Sequence, residues 1–139
     1  MSADILDWSD TLPPDLAVIE GFARATIAAL PDPFREIALG LGVNVMDFAP
    51  DDLLAEMEMD DPFELTGLYT GLPLTEKSVA DQPDTVDAIW LFRRPILDEW
   101  VGRGDVALGD LVVHVTLHEL AHHFGWSDDD IAAVAPWQD

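Results

Sequence analysis

Residues 118–130 read HELAHHFGWSDDD and hold three of the four histidines in the chain. The fourth, His114, precedes His118 by one helical turn. His118 and His122 are spaced so that a helix stacks both imidazoles on one face, about 6 Å apart along the axis. Both rings can then reach one ion at about 2.0–2.1 Å. Glu119 lies between them in sequence and points to the neighbouring face. From there a carboxylate can take a proton from a water on the metal without ligating the ion. Two ligands and one general base on a single helix make the H-E-x-x-H arrangement of metal-dependent hydrolysis.

The residues that follow extend the pattern. Gly125 can end the helix in the left-handed conformation that glycine tolerates. The chain then turns back and can bring Asp128 to the metal as third ligand. The competing assignment for Asp128, Asp129 and Asp130 is an acidic helix start opposing the dipole. It suits Asp129 and Asp130, whereas the spacing favours Asp128 as ligand. His114 is about 12 Å of helix from His122, too far to share a tetrahedral ion. It reads as a packed histidine or one that supports a ligand. His123 faces about 100° away from His122 and reads as structural. Tyr69 is a weaker candidate for assisting an oxyanion, and Arg93 with Arg94 for stabilising one or gripping a peptide carboxylate. Packing competes for Tyr69, and a salt bridge competes for Arg93.

These side chains need elements to position them. The stretch 105–124 reads as one helix of about five turns. Its β-branched start, LVVHV, would suit a strand, but the run with TLHELAHHF attached is too long for one. Val113, Leu117, Leu120, Ala121 and Phe124 share one helical face, the expected core face, and His118 and His122 point away from it. Upstream, Leu16 to Leu30 repeat at helical spacing between Pro13-Pro14 and Pro31. PFREIALGLG predicts a short helix ended by Gly40 and Gly42. VNVMDFAP alternates as a short strand, with Val43 and Val45 on one face. DDLLAEMEMDDP is ambiguous between a helical turn and an acidic loop. FELTGLYTGLPL reads as a strand broken by glycines, and TEKSVADQPD as a polar loop. VDAIWLFRRP is the strongest strand, closed by Pro95, and DAIWLFR within it would be an edge strand open to strand addition. ILDEWVGRG reads as a short helix, and SDDDIAAVAPW as a last one capped by Ser127.

The chain has 139 residues and no cysteine. It reads as a single domain over 1–139, with residues 1–13 as a loosely ordered leader. Without thiolates, a transition metal must be held by His and carboxylates. The acidic residues number 28 against 6 basic, for a net charge of −22. Such a charge repels nucleic acid and anionic membrane surfaces, and neither is expected as a partner. Neither an apolar stretch of the roughly 18–20 residues that a membrane span requires nor a secretory signal is read. A cytoplasmic protein is expected.

HELAHHFGWSD resembles the extended H-E-x-x-H-x-x-G-x-x-H/D motif of the metzincin metallopeptidases, with aspartate in the last position. GLYTGLPL, FRRPIL and HELAHHFGWSDDDI, in that order, look like the small bacterial zincin-like metallopeptidase family, over roughly residues 30–135. That resemblance implies a compact α+β zincin-like core, with a small mixed sheet packed on the helix that carries the motif and additional helices around it. It implies zinc as cofactor and a peptide or protein as substrate. Carried over by position, His118, His122 and Asp128 would be the ligands and Glu119 the catalytic base. One departure stands out: metzincins place a methionine turn downstream of the third ligand, whereas Met1, Met46, Met57 and Met59 all lie upstream here. The alternative is a zinc-binding module of the same fold without turnover. A two-histidine, one-carboxylate iron site is a third option, disfavoured by ligands on one helix with a glutamate between them.

The spacing yields a test of its own. Asp128→Ala should weaken zinc binding far more than Asp130→Ala, measured by competition with a chromogenic chelator. Equal effects would assign the aspartate run to a helix start.

Overall fold

The computed structural model describes residues 13–71, 87–126 and 129. The expected leader, the polar loop and the last helix with its Ser127 cap lie outside the described residues, except Pro13 and Asp129. Among the described residues the chain forms five α-helices and a three-stranded mixed sheet, an α+β arrangement. In chain order these are α1 (Leu16–Ala28), α2 (Phe34–Leu39), β1 (Gly42–Met46), α3 (Asp51–Glu56), a 3-10 turn (Pro62–Glu64), β2 (Gly67–Thr70), β3 (Ala88–Phe92), α4 (Arg93–Arg103) and α5 (Leu108–Phe124). None of the described helices is long and apolar enough to cross a membrane.

Local chemistry explains the boundaries. Asp15 caps α1, its carboxylate accepting the Val18 N–H at 3.0 Å and so satisfying one of the orphan donors of the first turn. Gly104 and Gly125 end α4 and α5 with φ of 75° and 72°, a conformation open to glycine at little cost. The acidic stretch after Pro50 resolves into one short helix and a turn. Gly42 opens β1 rather than ending a helix.

The sheet order is β1-β3-β2, with β1 parallel and β2 antiparallel to β3. β3 is therefore the central strand. This corrects the expectation that DAIWLFR offers an open edge, because both of its sides are paired. Its C-terminal boundary also differs: Arg93 and Arg94 belong to α4, whose first turn accommodates Pro95, where a missing N–H costs nothing.

β3 has apolar side chains on both faces. Ile89 and Leu91 point to the helical layer. Ile89 packs with Ile27, Leu30, Leu117, Leu120 and Phe124. Leu91 packs with Ile19, Ala23, Ile96, Leu111, Val112 and Val115. Phe92 and Trp90 pack on the other face with Leu54, Leu65 and Leu68. The helix α5 is thus anchored along two stripes rather than the one its wheel suggests. Val113 is only half buried at the margin of the first.

Ile89 is fully buried at the crossing of β3 and α5. Ile89→Ala should lower unfolding free energy by about 2–5 kcal/mol, read by urea denaturation. A loss below about 1 kcal/mol would mean that the strand does not anchor the helix.

Candidate metal and catalytic site

The helix α5 is unbroken from Leu108 to Phe124, so His118, Glu119 and His122 have the helical spacing that the motif requires. His118 is half buried and His122 is exposed. The His114 ring packs edge-on against His118, with centroids 4.5 Å apart. His114 thereby braces His118, in line with its expected packing role. Asp128 lies outside the described residues, and among the described residues no set of three His, Asp or Glu side chains converges as a ligand group.

Val115, Glu119 and His123 form an i, i+4, i+8 stripe that runs along β2. At one end, a Cβ on Gly67 would lie 2.8 Å from Val115 Cγ1, 3.2 Å from Glu119 Cγ and 3.3 Å from its Oε2. Helix and strand approach so closely there that only glycine fits. Phe92 N–H donates to Thr66 C=O at 3.0 Å. Hydrogen-bonded pairs of the antiparallel ladder therefore fall at Thr66, Leu68 and Thr70, and the main-chain groups of Gly67 and Tyr69 face the outer edge. The Tyr69 main-chain N–H bonds the Glu119 carboxylate.

Burial pushes the Glu119 carboxyl up to about 7, and the Tyr69 main-chain hydrogen bond pulls it partly back. A carboxylate with that proton affinity is poised as a base near neutral pH. The residues suit a zinc-type ion: two imidazoles at ligand spacing, one of them open to solvent, next to a carboxylate held back against β2 with no Lys or Arg partner among the described residues.

Tyr69 and Arg93 are turned to other partners. The Tyr69 phenol lies 2.8 Å from His123 Nδ1. Burial first, then Asp87 beside it, push the phenol up to about 12. Arg93 Nε donates to Asp47 Oδ1 at 2.7 Å, and its guanidinium also donates to the Pro14 carbonyl at 2.9 Å. It ties the start of α1 to the end of β1, the salt-bridge alternative. His123 is buried, in line with a structural role. Gly67 and Asp87 are the residues that the motif did not reveal. A glycine inside a strand does signal close approach, but nothing local marks Asp87.

The family model for zincin-like metallopeptidases matches residues 39–137, well over half of the chain. Among curated proteins, none matches.

The Glu119 environment makes stability depend on pH. With metal stripped, the folded protein holds this proton more tightly than the unfolded chain, whose carboxyl titrates near 4.5. The associated stability is complete below that value and is lost as pH rises through about 7, by up to about 3 kcal/mol. Glu119→Gln should remove this loss. The metal-free variant should exceed the parent in melting temperature above pH 7 and match it at about pH 4. Parallel curves across that range would contradict the buried setting.

Proposed function

The chain belongs to the zincin-like metallopeptidase family, and from that premise we propose that it hydrolyses peptide bonds with zinc held by His118, His122 and Asp128 and with Glu119 as general base. The observation that carries this is the Glu119 carboxylate. It sits between two histidines at ligand spacing on one helix and is half buried against the bare side of Gly67.

Bound zinc would supply a Lewis acid that polarises the scissile carbonyl and acidifies the attacking water. The remaining work falls to the chain. Glu119 takes the proton of the attacking water and then delivers it to the departing amine. The Tyr69 N–H keeps one carboxylate oxygen fixed during both steps. The outward main-chain groups of β2 other than the Tyr69 N–H would supply a rail for an extended peptide, in place of the paired β3. The substrate is accordingly a peptide or protein segment in extended form.

A zinc-binding module without turnover is the second option. It is favoured by one observation: the phenol of Tyr69 and the guanidinium of Arg93 are both bound to structural partners, so neither stands ready for an oxyanion.

Glu119→Gln separates the two. Glutamine keeps the shape and loses the basicity. The variant should bind zinc at full stoichiometry and lose hydrolysis of a peptide-library substrate by about 10²–10⁴-fold. His118→Ala and His122→Ala should each lose the zinc. Undiminished hydrolysis by Glu119→Gln would remove Glu119 as base. Absence of hydrolysis by the zinc-loaded parent across the library would favour the module.

A further inference from the structure

Beside Glu119 lies a polar cluster that the proposed hydrolysis does not use. Tyr69 Oη is 2.8 Å from His123 Nδ1. Asp87 hydrogen-bonds the same phenol, and its Oδ2 is 3.6 Å from His123 Nδ1. The side chains of His123 and Asp87 are only 5% and 12% exposed. A phenol has one proton. With that proton directed at Asp87, the contact at 2.8 Å is satisfied when His123 donates its Nδ1–H to the phenol oxygen. The cluster therefore joins β2 through Tyr69, the approach to β3 through Asp87 and the last turn of α5 through His123.

Two glycines make the arrangement possible. A side chain at Gly67 would strike Val115 and Glu119, and one at Gly71 would collide with the Asp87 carboxylate and the Tyr69 phenol. Gly71 also has φ of +139°, which L side chains rarely adopt. The stretch Gly67–Leu68–Tyr69–Thr70–Gly71 thus clears a space at each end, with a carboxylate in each and a tyrosine between them.

Such a strand has little register information of its own. β2 spans four residues and pairs with β3 on one side, and glycine-rich strands are weakly specified against slippage. A slip of one residue would turn the phenol to the opposite face and carry the Tyr69 N–H away from Glu119. We propose that Tyr69 is a positioning residue for Glu119: clamped at its phenol by Asp87 and His123, it sets the outer strand so that its own main-chain N–H meets the Glu119 carboxylate. The catalytic meaning of that contact rests on the peptidase proposal; the clamp itself does not.

The test reads the main-chain amide of residue 69 by hydrogen exchange and NMR in the zinc-loaded full chain. That N–H points away from β3 and is protected through Glu119, whereas those of Leu68 and Thr70 are bonded into the ladder. In Tyr69→Phe, the amide at position 69 should exchange about tenfold faster, the factor for one hydrogen bond of ordinary strength. Amides 68 and 70 should stay within about twofold. Glu119→Ala should accelerate the same amide, and the double variant should add nothing further. Asp87→Asn, which keeps the size of the side chain, should give a smaller change in the same direction. Unchanged exchange at position 69 in Tyr69→Phe, equal acceleration at 68, 69 and 70, or additive effects in the double variant would overturn the proposal. Exchange needs no turnover, so a chain that hydrolyses nothing can still show the clamp, and a working peptidase can lack it. With a peptide substrate in hand, Tyr69→Phe should lower kcat and leave KM unchanged; a raised KM at constant kcat would overturn the positioning role.

Discussion

The close approach of α5 to β2 at Gly67 is the contact on which the site depends. It takes the Glu119 carboxyl largely out of water without pairing it to a Lys or Arg among the described residues. A carboxylate so placed costs several kcal/mol if it stays charged, and the group answers by holding its proton more tightly. That response needs walls that do not move. They come from packing: Leu117, Leu120 and Phe124 on one stripe of α5, and Leu111, Val112 and Val115 on the next, all seated against Ile89 and Leu91 of β3. Val115 belongs to both tasks, since it anchors the helix and meets the empty side of Gly67.

How legible these features were in the sequence follows from how far each depends on distant partners. The helix α5 and its ligand spacing were legible because they are local: the motif, the length of the run and the terminal glycine all lie within one segment. The start of that helix was not, since it begins at Leu108 after Ala107 with no side-chain cap. The strand AIWLF was recognisable from its residues, but its position in the sheet was not. Alternation reports which faces are buried and says nothing about which edges are paired, and β3 finds its partners at both Gly42–Met46 and Gly67–Thr70. Arg93 and Arg94 extended the strand on paper, whereas Asp47 draws both into the start of α4. Its carboxylate takes the Arg93 guanidinium, and its carbonyl takes the Arg94 N–H. Gly67 announced a close approach without naming Glu119 as the neighbour.

The charge of −22 is left largely uncompensated by the ion pairs. Arg24–Glu20, Arg35–Asp32 and Arg103–Glu99 are short-range pairs at the surface, each worth about 0–1 kcal/mol. Arg94 lies over the Phe48 ring instead. The stability of the domain therefore rests on its apolar core, and the net field acts outward. It draws small cations toward the protein surface and repels strongly acidic partners. Both effects weaken with added salt.

Glu119 lies between two opposing demands. Deeper burial would keep it protonated at neutral pH, and a protonated carboxyl cannot take a proton from water. A second hydrogen-bond donor would return it toward the ordinary carboxylate range, where it gives up protons readily but takes them poorly. With no metal bound, the value of about 7 reflects burial opposed by the Tyr69 main-chain donor. That donor can reach the carboxylate because β2 turns the Tyr69 N–H outward, away from β3, and because Gly67 lets the helix come close. In the metal-free protein the proton affinity of the group is thus set by burial, which the missing side chain at Gly67 permits, and by the strand register that supplies its donor. For that reason it should be sensitive to substitutions in β2 that never touch His118 or His122.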